Sequence, residues 1–341
     1  MDGPTKFCTA STPHSRLTSL SLITLHHDLQ EVQPSMPSLS FVTVDVFTTS
    51  RFAGNPLAIV RVPEDGHVST EQMQIIAREF NLSETVFLYE NRRGDHGEAE
   101  WSFRIFMTSA ELPFAGHPTI GTACYALGTL ADNARSGKLL CSAGPIGIQY
   151  SEGVAKASIP HNVHIHTESR FTTEQLYELQ PALAHLKRPH AMNVVSPVEG
   201  MNFIMVELDS LEDLAQVATS GVKPRAKLDA GWDTGFVGSY FYVVMQVGQQ
   251  PDSKGHPIRT RMIEGALEDA ATGSAACGLC AYLSLEGRLN DRLFLITQGV
   301  EMGRKSEIGV AVTLSEDFEA VEKIELSGSA VKVMEGTVHY D

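Results

Sequence analysis

Alternating apolar and polar positions mark strands along much of the chain. Phe41-Val42-Thr43-Val44-Asp45-Val46-Phe47 alternates and is rich in β-branched residues, so it predicts a strand. Ala53-Gly54-Asn55-Pro56 reads as a turn, and Leu57 to Val62 as a second strand stopped by Pro63. The period then changes. Ser69-Thr70-Glu71-Gln72 is a capping box that opens a helix through Met73, Ile76, Ala77 and Phe80, with Asn81 as a left-handed stop. Leu82 to Leu88 and Glu100 to Thr108 predict further strands, with Asn91 to Gly97 as a charged turn between them. Trp101, Phe103 and Ile105 share one face of the second of these. Leu139 to Tyr150 predicts two strands around Gly144.

After Tyr150 the pattern loosens. Ser158 to Pro160 and the His161, His164 and His166 group read as a connection between two halves. Alternation puts His164 and His166 on one face, but no nearby carboxylate or cysteine completes a metal shell, so no metal site is expected. Asn202 to Leu208 resumes as a strand, followed by a helix from Ser210 to Ala218 capped by Ser210. Tyr240 to Val247 and Ile258 to Ile263 are strands flanking the turn-rich 249–256 stretch, and Leu293 to Thr297 is another.

Two stretches follow neither simple pattern. Glu111 to Ala123 runs from a loop marked by Gly and Pro straight into a helix of small and apolar residues, about Pro118 to Leu130. Glu268 to Ala276 repeats the device and opens a helix to about Glu286. His117 precedes Gly121-Thr122-Ala123 by four residues, and Asp269 precedes Gly273-Ser274-Ala275 by the same four, 152 positions later (269 minus 117). Leu139 to Gly144 is echoed by Phe294 to Gly299 at nearly the same offset. A matched loop, helix and following strand predict an internal repeat. Helices with small residues on every face suit burial inside a curled sheet. The expected fold class is therefore α+β, with two pseudo-symmetric halves, each a mixed or antiparallel curled sheet around a central helix. The halves are placed at residues 38–154 and 155–325, with 326–341 as a strand returning to the first half. Residues 1–37 are Ser/Thr/His-rich, with too few basic residues for a secretory or mitochondrial signal, and read as a leader ahead of a fold that starts near Met36.

Composition narrows the function. The chain of 341 residues is long enough for two cores, and its net charge is −15 with no long basic run. Nucleic acid and anionic membranes are poor partners for such a surface. No run reaches the ~18 apolar residues of a membrane span. Five scattered cysteines, at 8, 124, 141, 277 and 280, form no disulfide framework and point to a reducing, cytoplasmic setting. Cys277 and Cys280 make a CxxC pair inside an apolar run, without a second ligand pair for zinc, and read as core thiols. A small-molecule enzyme or a protein-binding module remains.

The repeated device suggests which chemistry. A helix N-terminus offers unpaired N–H groups and the positive end of the dipole, so two such ends on one cleft would hold a small carboxylate. Gly116, Gly121 and Gly273 let backbone approach a ligand closely. Neither a phosphate loop nor a dinucleotide fingerprint is present, so a flavin or nicotinamide enzyme is poorly supported; a pyridoxal enzyme is too, although the pattern leaves a lone Schiff-base lysine open. His117 and Asp269 lie at the two helix starts, and Glu84 sits among Leu82, Val86 and Phe87, where an apolar setting raises a carboxylate's pKa for general acid–base work. Each has a plain structural alternative: a solvent-facing strand residue for Glu84, an N-terminal helix cap for Asp269, a structural histidine before Pro118 for His117.

Phe52-x-Gly54-Asn55-Pro56, Ser83-Glu84-Thr85, Phe114-x-Gly116-His117-Pro118, Glu268-Asp269-x-Ala271-Thr272-Gly273-Ser274-Ala275 and Gln298-Gly299-x-x-Met302-Gly303-Arg304 together resemble the phenazine-biosynthesis PhzF-like isomerase family, from about Leu39 onward. The resemblance implies the diaminopimelate-epimerase fold, a homodimer and cofactor-free isomerisation. It implies that Glu84 shuttles a proton, assisted by His117 and Asp269, and that Gly273 and Ser274 line the substrate; Gly116, at the other helix start, is expected to line it from the repeated device itself. The chain departs from the family's pattern at Ala270 and Lys305, where proline is usual, which touches substrate fit more than chemistry. Related epimerases carry two cysteines at the helix starts. Here Cys124 and Cys277 lie about two turns further in. The expected function is a cofactor-independent isomerase that shifts a proton between carbons of a small unsaturated carboxylic acid. The alternatives are a two-thiol racemase or epimerase on the same fold, and a binding protein that has lost catalysis.

Overall fold

The computed structural model describes residues 37–341, apart from 64–65, 91, 94–97, 169–170, 187–190, 233–234 and 246–254. The expected leader, most of the charged turn before Glu98 and most of the 249–256 stretch lie outside the described residues.

The first half opens with β1 (Ser38–Val46), antiparallel to β2 (Asn55–Val62). Helix α1 (Thr70–Phe80) crosses to β3 (Thr85–Tyr89), parallel to β2. Then come β4 (Arg92–Arg93) and β5 (Ala99–Phe106), the latter antiparallel to β3 and folded back at β6 (Glu111–Leu112). Helix α2 (Gly116–Tyr125) leads to β7 (Ser136–Cys141), parallel to β5, and on to antiparallel β8 (Gly144–Ser151) and β9 (Val154–Ser158).

The second half repeats this order. After β10 (His164–Ile165) and α3 (Thr173–Leu179), β11 (Ala191–Val198) pairs antiparallel with β12 (Met201–Glu207). Helix α4 (Leu211–Gln216) crosses to β13 (Phe236–Val244), parallel to β12, and antiparallel β14 (His256–Glu264) folds back at β15 (Leu267–Asp269). Helix α5 (Gly273–Gly287) leads to β16 (Arg292–Gln298), parallel to β14, then antiparallel β17 (Ser306–Leu314) and β18 (Val321–His339). The predicted repeat is thus a repeat of topology, with each central helix joining two parallel strands. Among the described residues no helix is long and apolar enough to cross a membrane.

β18 belongs to both halves. Its early part pairs with β17 and β9, and from Ala330 to His339 it pairs with β1. The order β1–β2–β3–β5–β7–β8–β9–β18 therefore closes on itself, and every residue of α2 is buried inside that ring. The second sheet curls around α5 from β18 through β17, β16, β14, β13, β12 and β11 to β10. The seam between β10 and β18 is filled by residues 159–162. Ile159 N donates to Ile324 O, Asn162 N donates to Pro197 O, and the His161 ring lies between the Ile159 and Val321 carbonyls at 3.0 and 3.3 Å.

Local sequence explains the element ends. The Ser69 hydroxyl accepts from Gln72 N and the Gln72 side chain accepts from Ser69 N, the expected box; Asn81, at φ 50°, ends the helix in the left-handed region. That turn uses up Leu82, Ser83 and Glu84, so β3 starts only at Thr85 and Glu84 stands before the strand rather than in it. β9 escapes a reading by alternation because its inward residues, Ala155 and Ala157, are small, and α3 because its capping box at Thr172 and Gln175 opens only seven residues.

The offset that pairs Gly121 with Gly273 also needs correction. The helices begin at Gly116 and Gly273, so these two glycines are the structural equivalents. Gly121 lies over a turn inside α2, where a Cβ would stand 2.7 Å from both Leu57 Cδ2 and Val46 Cγ2. Both neighbours are fully buried and have nowhere to retreat. Gly121→Val should therefore destabilise the protein by at least ~1–3 kcal/mol through overpacking, read as a lowered urea midpoint. An unchanged midpoint would show that the first ring does not wrap the helix this tightly.

Candidate functional site

The site forms where α2 and α5 begin. A Cβ on Gly116 would lie 3.1 Å from Gly273 Cα, and one on Gly273 would lie 3.3 Å from Gly116 Cα. Leu326 of β18 closes in on both, 3.1 and 3.0 Å from the two hypothetical atoms. The two helix starts thus meet backbone to backbone, as the repeat predicts. Neither has a side-chain cap: Ala115 precedes α2, and Thr272, preceding α5, turns its hydroxyl to Asp269. Asp269 lies at the end of β15, three residues before that cap position, so it is not the helix cap. Ser274 is the second residue of α5 and half-buried.

His117, the second residue of α2, is 5% exposed, and its Nε2 lies 3.5 Å from Glu84 Oε2. The Glu84 side chain is 16% exposed, against the solvent-facing alternative, yet its Oε2 is buried. Neither of these two atoms has a hydrogen-bond partner, and their separation is too long for a strong bond between them. Buried polar atoms without partners are rare because each gives up its hydration for nothing in return. A pair of them facing each other marks a place where a ligand's polar group fits.

Burial sets the proton affinities here. It pushes Glu84 up to about 6, partly offset by a hydrogen bond to Ser83. It pushes His117 down to about 4, against the pull of Asp269, so the imidazole is neutral at pH 7. Asp269 rises to about 6 for the same first reason; His117 and the Thr272 hydroxyl pull it down, and Glu84 pushes it up. The structure therefore brings all three expected residues into one electrostatically coupled cluster.

Asp269 is held tightly. Its Oδ1 accepts from Asn55 Nδ2 at 2.8 Å and its Oδ2 from the Thr272 hydroxyl at 2.6 Å. Gln298 Nε2 donates to the Asp269 carbonyl and to the Thr272 hydroxyl, at 2.8 and 3.0 Å, and Gln298 Oε1 accepts from the buried Tyr240 hydroxyl at 3.0 Å. Beneath Asn55, the Arg304 guanidinium donates to the carbonyls of Ala53 and Gly54 and pairs with Asp45 at 2.6 Å. Sequence reasoning placed Asn55, Thr272, Gln298 and Arg304 in motifs but gave them no role. Their signal lay in polar residues beside turns, and only the folded chain shows what they reach.

Two expectations elsewhere change. A carboxylate does lie near His164 and His166: Asp229, distant in sequence, sits 2.9 Å from His164 Nε2. Yet His166 Nδ1 accepts from Asp229 N and its Nε2 meets the Ser196 hydroxyl, so both ring nitrogens already have protein partners. Asp229 also accepts from Thr167 N and Glu168 N, and the cluster reads as a pin on this segment. The two-thiol alternative loses ground. Cys124 and Cys277 are buried, and burial pushes each thiol up to about 12, away from the thiolate that such chemistry requires.

Comparison with known proteins bears on this arrangement. Residues 44–336 match the family model for phenazine biosynthesis-like proteins, PhzC-PhzF. A trans-2,3-dihydro-3-hydroxyanthranilate isomerase of Pseudomonas chlororaphis is 31% identical, over 87% of this chain and 98% of the relative. An uncharacterized isomerase of Mesorhizobium japonicum is also 31% identical, over 88% and 99%. Among solved structures, a PhzF-family protein of Bacillus anthracis superposes with a TM-score of 0.71 at 23% identity, over 89% of this chain and all of that one. A hydroxyproline epimerase of Agrobacterium vitis shares the fold at a TM-score of 0.56 and 14% identity, over 89% and 93%. The family match along most of the chain, on a fold built from two helix-filled halves, places this protein among the PhzF-like isomerases of the phenazine biosynthesis-like family.

Proposed function

We propose that the protein moves a proton between two carbons of a small unsaturated carboxylic acid, without a cofactor, and that Glu84 carries that proton. The observation that carries this reading is the facing pair of buried, unpartnered atoms, Glu84 Oε2 and His117 Nε2, beside the joined starts of α2 and α5.

The helix starts hold the substrate carboxylate, with Gly116, Gly273 and Ser274 against it. Glu84, as carboxylate, takes a proton from a carbon next to the double bond. The C–H electron pair moves into the conjugated system and the double bond shifts by one position. Glu84, now the acid, returns the proton to the far carbon, so substrate and product are isomers and nothing else is consumed. A group titrating near 6 is suited to both halves of that task. His117, neutral, donates a hydrogen bond where negative charge gathers. Asp269 fixes the edge of the cavity opposite and tunes the other two. The relative from Pseudomonas chlororaphis names one acid to try first. Ala270, buried directly after Asp269 where the family pattern has proline, makes a panel of related acids necessary.

Incubated in deuterated water with trans-2,3-dihydro-3-hydroxyanthranilate and related unsaturated acids, the protein should yield an isomer, with deuterium at the new C–H position to the extent that the proton on Glu84 exchanges with solvent before its return. Glu84→Gln should lower turnover by ~10²–10⁴-fold. Full turnover by a folded Glu84→Gln variant would reject Glu84 as the shuttle. A bound acid that is neither isomerised nor labelled would support the binding-protein alternative.

The same substitution should reveal the strain of burying Glu84. Its folded-state value lies above the ordinary 4.5, so its contribution to stability is complete below pH 4.5 and is lost as pH rises through about 6. Glu84→Gln removes that loss. Urea unfolding should find variant and wild type alike near pH 4.5, with the variant ahead by ~2 kcal/mol at pH 7.5. A gap that does not widen with pH would mean that the carboxylate is solvated after all.

A further inference from the structure

Asn55 plays no part in the proton transfer itself, and it is 3% exposed. It is the first residue of β2, directly after Gly54, whose φ of +66° turns the chain toward the other half. Both hydrogens of its side-chain amide cross between the halves: one goes to Asp269 Oδ1 at 2.8 Å, the other to the Ala271 carbonyl at 3.0 Å. Both partners are acceptors, which fixes the orientation of the amide. The loop that carries Asn55 is tied down separately. Arg304 binds the Ala53 and Gly54 carbonyls, Gly54 N donates to Lys305 O, and Phe52 N donates to Asp45 Oδ2 at 2.6 Å.

Resting on the proposed function, we infer that Asn55 is a positioning residue: it aims the Asp269 carboxylate and holds its charged form in register with Glu84 and His117 across the junction of the two halves. The reasoning is geometric. The Asp269 carboxylate is electrostatically coupled to Glu84, from the segment before β3, and to His117, from α2, and its oxygens accept from Asn55 on one side and Thr272 on the other. Thr272 lies only three residues away and moves with Asp269. Asn55 comes from the opposite half, so it alone of these two donors fixes the carboxylate relative to Glu84. Removing a donor to the charged form favours the protonated one.

The test uses the full chain with ¹³C-labelled aspartate carboxyls, the Asp269 resonance being assigned through Asp269→Asn. In Asn55→Ala the Asp269 titration midpoint should rise by about one pH unit or more. In the isosteric Asn55→Asp it should rise further, because a second carboxylate then faces the first. On the acid whose turnover the deuterium screen finds, kcat should fall in both variants with KM little changed, and the pH profile should shift in the same direction as the resonance. An Asp269 midpoint that stays put in a folded Asn55→Ala or Asn55→Asp protein overturns the inference. The titration needs no substrate, so a failure to find turnover would count against the isomerase reading and leave the result on Asn55 standing.

Discussion

The molecule depends on one close approach, that of Gly116 to Gly273. With no side chain between them, two helices from different halves bring their first turns into contact, under Leu326 of the shared strand. Each helix then has to be lined with small residues and wrapped by its own sheet, because its start is fixed at the centre of the molecule. A Cβ at either glycine would meet the other's Cα at 3.1–3.3 Å and push the helix ends slightly apart.

This junction is short of water, and every ionisable group in it responds accordingly. Burial raises Glu84 and Asp269 and lowers His117, so all three move toward their uncharged forms. The shifts oppose one another in stability. A raised carboxylate loses stability as pH climbs through its window, whereas a depressed histidine regains it between about 4 and 6.5. The protein thus keeps three buried, costly groups in one coupled cluster whose pH dependences partly offset one another. Asp269 is the best supported of them, with a bond to each oxygen, whereas Glu84 Oε2 and His117 Nε2 have no partner. The two unpartnered atoms face the place where the proposed proton transfer occurs.

Much of this was legible in the sequence, for definite reasons. The Ser69 box, the Asn81 stop and the alternation of β1, β2 and β5 depend on neighbours along the chain, and they lie where the pattern places them. The two small-residue helices and the strands after them were visible as a repeat, since burial on all sides leaves few residue choices. The alignment of the repeat was not. Matching Gly121 to Gly273 rested on letters, whereas the equivalence is set by where each chain enters its helix. The surroundings of Glu84 were half readable: its neighbours are apolar, but a strand residue and a turn residue differ by a slip that the pattern does not resolve. Asn55, Gln298, Arg304 and Asp229 act over long sequence separations, and nothing local records what they reach.

β18 pairs with β1, and the two lie at opposite ends of the described residues. It also fills the place between β9 and β17. A chain emerging from the ribosome therefore holds its first ring open, with strands unpaired on either side of the gap, until β18 has been made. Neither half has a finished core before then. Closing the ring consequently waits on pairings of large sequence separation, which are slow by topology. During synthesis its sheet edges need shelter that the mature protein supplies to itself.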